Sequence, residues 1–334
     1  VAGAKLTIED VARAAGVSRS TVSRVMNDVP GATEAVRRHV REIIAELGYV
    51  PDQTARALAS RQQPAVDVIA AIEPGLPIGW ISSHPYYSRV LAGVMTALDG
   101  SDVQLRIQTV ARTAPAEAID AVAARVTVGA VLADAPPEFA ARFQQRCRRV
   151  VSLVATTKSV AAIEADNIGG AYAAVQYLHR LGRRRIAAIH GPDDNSCAAN
   201  RRAGYRSAIR ELGLPDLGES DCFHRVGGLE ATRRLLDRHP DVDAIFVACD
   251  LMAAGTIQAI TAAGRRVPED VSVVGFDDSI AAVCANPPLS TMRVPVEEMA
   301  ATATRFLLDR AVRAGHRERF PVELVARESS SIWS

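Results

Sequence analysis

The chain is 334 residues long, 48% apolar and 23% charged, with 39 Lys and Arg against 38 Asp and Glu. That length calls for two or three domains with sizeable cores, and no uninterrupted apolar run of about 18 residues offers a membrane span. The opening "VAGAKLTIED" lacks the basic flank and apolar stretch of a secretory leader, and five cysteines (Cys147, Cys197, Cys222, Cys249 and Cys284) without a CxxC pair argue against a disulfide framework or zinc cluster and suit a reducing cytoplasm. Residues 1–63 carry nine Lys and Arg against seven Asp and Glu, while the remainder is at −1. An excess this small suits a polyanion partner and equally a solvated helical face.

Thr7 with Asp10 three positions on reads as an N-cap with a reciprocal partner. Ile8, Val11, Ala12 and Ala15 then share one face, which predicts a helix over 8–15 that Gly16 stops. Ser18 caps a second helix over 19–26, with Val22, Val25 and Met26 inward and Arg19, Ser20, Ser23 and Arg24 outward. A third begins at the cap Thr33, turns Val36, Val40, Ile43, Ile44 and Leu47 inward, and ends at Gly48. Two short helices joined by a Gly-containing turn, with a third closing the core, form a helix-turn-helix. Such a unit enters the major groove by the N-terminal end of its second helix, where short donors approach phosphates and an arginine reaches base edges. The stretch "SRST" at 18–21 fits that role, though in isolation it would be only a solvated capping turn. Pro51 and Asp52 open a fourth, conditional helix through "QTARALAS", too short to be stable alone, and Gln62-Gln63-Pro64 reads as a linker.

From Val66 on, the apolar runs "VDVIAAI", "VQLRIQT", "VGAVLA", "RVVSLV", "RIAAIH", "DAIFVA" and "VSVVGF" alternate with helical patterns. Strands spaced in this way predict two doubly wound parallel sheets, hence two lobes with a cleft between them. Ligands of open α/β sheets sit beyond the carboxyl ends of strands. Asp250 and Asp277 follow two of these runs, and "HPYY" with Tyr86 and Tyr87 follows the first. Carboxylates accept hydroxyl hydrogen bonds, arginine donates a fork of them and aromatic faces cover a ring, so the set suits a polyhydroxylated ligand. Asp250 has the alternative of capping the helix after it, and Tyr86, Tyr87 and Phe223 that of plain core residues. The segment "EPGLPIGWISSHPYY" either brings Trp80 and His84 to the cleft mouth or covers the surface. After the first strand "EPGLPIG" fails the G-x-G-x-x-G spacing, and no Walker, HExxH or GxSxG element is present. These features speak against an enzyme, and no cofactor or metal is expected. A secreted binding protein would need a signal peptide.

The runs "LTIEDVARAAGVSRSTVSRVMN" and "AELGYVPDQTARALAS", then "HRLGRRRIAAIHGP", "RRAGYRSAI", "DAIFVACDLMAAGTIQAI", "RVPEDVSVVGFDDS" and "NPPLSTMRVP", resemble the LacI/GalR family of transcriptional repressors along the whole chain. The resemblance implies an N-terminal all-α helix-turn-helix head (1–50), a hinge helix and linker (51–64), and an α/β core of two doubly wound parallel-sheet lobes like a periplasmic binding protein. The N-terminal lobe would take 65–165 and 293–318, the C-terminal lobe 166–292 and 319–334. It implies a cytoplasmic homodimer, a repressor, whose affinity for double-stranded operator DNA is controlled by a small effector, a sugar, in the cleft. The DNA contacts it implies are Thr7, Ser18, Arg19, Ser20, Thr21, Ser23, Arg24, Asn27 and Tyr49 of the head. Ala55 and Leu58 of the hinge helix join them, Leu58 as an apolar wedge in the minor groove. Asp52 stands where the family often has Asn. The implied effector contacts are Tyr86, Tyr87, Arg201, Phe223, Cys249, Asp250 and Asp277, with Cys249 where the family usually places Asn. The ending "RESSSIWS" has no apolar heptad, so a dimer is expected and not a tetramer built by a C-terminal coiled coil.

Overall fold

The computed structural model describes residues 6–26, 31–47, 49, 63–72, 81 and 84–330. The chain forms two compact units, Val1–Gln63 and Pro64–Ser334.

Among the described residues the first unit holds three helices: α1 (Ile8–Ala14), α2 (Arg19–Met26) and α3 (Glu34–Glu46). Thr7 and Asp10 close a reciprocal capping box, Asp10 N–H donating to Thr7 Oγ1 at 3.4 Å and Thr7 N–H to Asp10 Oδ2 at 2.9 Å. Gly16 turns the chain between α1 and α2 at φ +62°, a conformation that a Cβ would strain. Val11, Val22 and Val40, one from each helix, are fully buried in a common core. The helix ends therefore lie within a residue or two of those expected from capping and periodicity.

In the second unit β1 (Ala65–Ile72), β2 (Gln104–Ala111), β3 (Gly129–Ala133), β4 (Val150–Ser152), β5 (Ala161–Ala165) and β11 (Arg317–Phe320) form one sheet in the order β11-β5-β4-β3-β1-β2. A second holds β6 (Ile186–His190), β7 (Gly218–Ser220), β8 (Ala244–Val247), β9 (Ser272–Asp277), β10 (Ser290–Arg293) and β12 (Glu323–Val325), in the order β12-β10-β9-β8-β6-β7. All pairings are parallel except β12 with β10. Parallel strands need cover on both faces, and β3, β5, β6 and β8 are accordingly buried along their whole length. That cover comes from α4 (Pro85–Leu98), α5 (Ala116–Ala123), α6 (Pro137–Arg146), α7 (Asn167–Arg180), α8 (Ser196–Leu212), α9 (Arg225–Arg238), α10 (Asp250–Ala262), α11 (Ile280–Val283) and α12 (Val296–Leu308).

The chain passes between sheets three times: after β5, after β10 and between β11 and β12. Two of these passages lie slightly beyond the expected boundaries. β10 keeps Arg293 in the second sheet by pairing it with Asp277, and β11 holds the chain in the first sheet through Phe320, which pairs with Ala165. In each sheet the order reverses around one strand, β1 between β2 and β3, β6 between β7 and β8, which is where open α/β sheets bind ligands. The packing of α8 on α7 depends on Gly204, where a Cβ would stand 2.2 Å from the Ile168 carbonyl oxygen.

Candidate functional site

In the head, the first turn of α2 is held by Ser18. Its Oγ accepts the Thr21 N–H at 3.1 Å and lies 2.8 Å from both Ser20 Oγ and Thr21 Oγ1. Arg19 is exposed and paired with Glu9 of α1 at 3.2 Å. Arg24 folds its aliphatic stem over the backbone of Gly31, with Cδ 3.6 Å from where a Cβ would stand. Ser20 is exposed, Thr21 and Ser23 are half-buried, and Thr7 is exposed at the start of α1. Tyr49, expected to contact DNA, is 9% exposed and packs its ring in the apolar core of the head, with its N–H on the Ile44 carbonyl. Asn27, Ala55 and Leu58, and the whole hinge helix, lie outside the described residues.

In the second unit a cavity of about 450 Å³ opens between the lobes at the carboxyl ends of their strands. Six of the seven expected effector residues line it: Tyr86, Tyr87, Arg201, Phe223, Cys249 and Asp277. Arg201, on α8 and 7% exposed, is fixed on every side by the second lobe. Its Nε donates to Asn167 Oδ1 at 2.8 Å, Nη1 donates to the Ala248 carbonyl, Nη2 lies 3.3 Å from Asp277 Oδ1, and its plane stacks 3.9 Å from the centre of the Phe276 ring. Asp277 takes φ +120° at the end of β9, a backbone cost that a non-glycine residue bears only where the surroundings enforce it. Arg89 of α4 donates from Nη1 to its carbonyl oxygen at 2.7 Å. Burial raises the Asp277 carboxyl above its ordinary range, against the pull of Arg201 and Arg89.

Asp250 does not line the cavity. It is fully buried behind Asp277, accepting the Ser279 N–H at 2.7 Å and the Thr291 hydroxyl at 2.6 Å. The helix after it is capped by Cys249, whose Sγ accepts the Met252 N–H. Burial, with Asp277 nearby, pushes the Asp250 carboxyl up to about 7. It ties β10 to the turn that bears Asp277 and offers nothing to a ligand. Cys197, half-buried, Cys222, exposed, and Cys249, buried, all line the cavity; burial of the thiol pushes Cys197 up to about 11 and raises Cys249 as well, so both of these stay protonated at neutral pH.

His84 lines the cavity, whereas Trp80 lies outside the described residues. His84 Nδ1 accepts the Tyr86 N–H at 3.2 Å, so Nε2 carries the proton that points 3.4 Å across the cleft at the Phe223 carbonyl. Burial lowers the His84 pKa and keeps the ring neutral. The Tyr86 hydroxyl is buried and has no hydrogen-bond partner among the described residues.

Sequence reasoning missed a second polar cluster on the cavity wall. Arg112, just past β2, donates from Nη1 to the Asp134 carbonyl at 2.9 Å and to Asp134 Oδ2 at 3.0 Å, and its Nη2 reaches Asp194 Oδ2 at 3.3 Å. Asn195 donates to Asp134 Oδ1 at 2.5 Å. Burial pushes the Asp134 carboxyl up to about 6, against the pull of Arg112 and Asn195. Arg112 and Asp134 stand at the carboxyl ends of strands, the same signal that marked Asp250 and Asp277. Asn167 and Asn195 carry only the weaker signal of residues at helix starts.

All five cysteines are free, and among the described residues no group of three or more His, Cys, Asp or Glu could hold a metal ion. No helix among them is long and apolar enough to cross a membrane.

Residues 7–52 match the model of bacterial regulatory proteins of the lacI family, and residues 175–330 that of a periplasmic binding protein-like domain. The chain is 36% identical over 323 residues to the HTH-type transcriptional regulator CelR of Thermobifida fusca, covering 91% of each chain. It is 30% identical over 328 residues to the ribose operon repressor of Escherichia coli strain K12, covering 91% of this chain and 92% of that one. Among solved structures it is similar to a complex of the transcriptional regulator CelR with cellobiose, at a TM-score of 0.73 and 34% identity over 97% of this chain and 99% of that one. It is also similar to a Lac repressor dimer bound to operator and the anti-inducer ONPF, at a TM-score of 0.70 and 27% identity over the same shares.

Proposed function

Because the chain belongs to the lacI family of bacterial regulatory proteins, we propose that it is a sequence-specific transcriptional repressor whose hold on operator DNA is set by a sugar in the cleft between its lobes. The observation that carries the ligand half of this reading is the fixed pair Arg201 and Asp277 facing a cavity in which the Tyr86 hydroxyl has no partner among the described residues. A guanidinium supplies a fork of donors, a carboxylate accepts from hydroxyls, and a tyrosine hydroxyl does either, so several hydroxyls of one small ring are recognised at once. Tyr87 and Phe223 supply apolar cover, and Cys249 contributes shape with little hydrogen bonding.

The DNA half rests on α2. Arg19 exchanges its Glu9 pairing for a guanine edge, while Ser18, Ser20, Thr21 and Ser23, with Thr7 at the start of α1, approach phosphates. Asn27 and Ala55 extend these contacts and Leu58 acts as the minor-groove wedge. The protein works as a homodimer on a two-fold operator, in the cytoplasm where the DNA is; the similar Lac repressor, a dimer on its operator, supports the dimeric part of that reading.

The test is fluorescence anisotropy on a duplex selected by the protein from a random pool, titrated with a panel of mono- and disaccharides beginning with cellobiose. A sequence preference of roughly 1,000-fold or more over random duplex, in the range of specific regulators, together with one sugar that shifts operator affinity, is the expected result. A lack of sequence preference sinks the regulator reading, and operator affinity indifferent to every sugar sinks the effector reading.

A further inference from the structure

The two polar clusters of the cavity differ in which lobe supplies them. Arg201, Asn167 and Asp277 all belong to the second lobe, so their mutual bonds are indifferent to how far the lobes stand apart. Arg112 and Asp134 come from the first lobe and Asp194 and Asn195 from the second, so the Arg112–Asp194 and Asn195–Asp134 bonds exist only with the cleft closed, whereas Arg112 grips Asp134 within the first lobe. A ligand alters the lobe arrangement only through a contact that differs between open and closed states.

We propose that Asn195 and Asp134 form a latch across the cleft, and that Asn195 is the positioning residue through which closure sets Arg201. Asn195 is the N-cap of α8 and is 5% exposed. Its Oδ1 accepts the N–H groups of Cys197 at 2.9 Å and Ala198 at 3.1 Å, while its Nδ2 donates to Asp134 Oδ1. Serine, threonine or aspartate would cap the helix as well. An amide alone accepts from the helix with one atom and donates across the cleft with another. The receiving carboxylate is equally committed. Asp134 sits in the left-handed region at φ +58°, where a non-glycine residue needs outside support, and Arg112 supplies it by gripping both its carbonyl oxygen and its Oδ2. Hydrogen bonds between a neutral amide and a buried carboxylate are among the stronger ones. Arg201 lies six residues beyond Asn195 on the same rigid helix, about 9 Å along its axis. Pinning the first turn of α8 to the first lobe therefore fixes where Arg201 meets a ligand held against that lobe. The role of Arg201 rests on the effector reading above, whereas the latch itself does not.

The test is amide hydrogen exchange on the full chain without ligand at pH 7.5, followed over 130–136 in the first lobe and 192–203 in the second. Asn195→Asp keeps a capping oxygen but sets a second carboxylate against Asp134. It is expected to speed exchange in both segments by roughly tenfold, the scale of one charge-assisted hydrogen bond, with the head helices unaffected. The double variant Asp134→Asn with Asn195→Asp restores a donor facing an acceptor across the same gap and is expected to return most of the protection. Faster exchange confined to 192–203 would mean that Asn195 is only a cap, and would overturn the latch, as would unchanged exchange in both segments or a double variant no better than the single one. Because this arm uses no ligand, its failure is distinct from that of the effector reading, which would show as wild-type protein binding no sugar of the panel, cellobiose included.

Discussion

The first turn of α2, proposed to read DNA, and the cavity proposed for the effector are built on opposite plans. Ser18, Arg19, Ser20 and Thr21 are contiguous, lie near or at the surface, and hold one another or Glu9 by bonds that water competes for. Arg201, Asn167 and Asp277 come from three elements far apart in sequence and are fully engaged before any ligand arrives. A surface that must fit a deformable duplex can leave its side chains uncommitted, whereas a cavity that must choose among small hydroxylated rings has them fixed beforehand. Substitutions in the cavity should then cost folding and binding together, and those in α2 binding alone.

The largest expected effect is in the cavity. Arg201→Ala strands the Asp277 carboxylate in a buried site and is expected to lower core stability by about 3 kcal/mol in urea unfolding at neutral pH. Arg19→Ala should leave unfolding unchanged but cost about 1–3 kcal/mol on the selected operator, with relaxed preference at one base pair per half-site. Equal weakening on all duplexes would move Arg19 to the phosphate class. Asp134 sharpens the comparison through pH. Burial holds its carboxyl at about 6 in the closed cleft against an ordinary 3.8, with Arg112, Asp194 and Asn195 facing it. The raised value means that the protonated form favours closure, an advantage complete below about pH 4 and lost as pH rises through about 6. Sugar affinity by calorimetry should be about tenfold higher at pH 5 than at pH 7.5, and Asp134→Asn should remove that difference. The smallest effect is at Arg24, packed over Gly31: Arg24→Ala should reduce the salt dependence of operator binding by about one phosphate contact.

The head was legible because its signals are local. Thr7 with Asp10, Gly16, Ser18 and Thr33 mark each helix within a few residues, and the valines between them set the inner face. Apolar runs revealed β1, β3, β4, β6, β8 and β9, and "VQLRIQT" revealed β2. The short strands β7, β11 and β12 have half-exposed faces and no apolar run to betray them. In the cavity, the same rule about strand ends marked Asp250 and Asp277 alike. Which of them faces a ligand is decided by Ser279 and Thr291, 29 and 41 residues away, and no local pattern carries that. The burial of Tyr49 in the head core was illegible for a related reason, since it is set by helix packing and not by its neighbours in sequence. Arg112 and Asp134 were within reach of the strand-end rule, but their pairing with Asp194 and Asn195 exists only once the lobes meet.

The central claim is that a sugar held by Arg201 changes operator affinity. Operator anisotropy with wild-type and Arg201→Ala protein, each with and without the sugar that shifts the wild type, tests it most directly. The account predicts equal operator affinity for the two proteins without sugar, within about threefold as expected for sites that share no contacts, and a sugar response in the wild type alone. If the sugar relieves repression, the variant is then a constitutive repressor; if it promotes repression, the variant fails to repress. An Arg201→Ala protein that still responds to the sugar as the wild type does would place the ligand elsewhere and contradict the account.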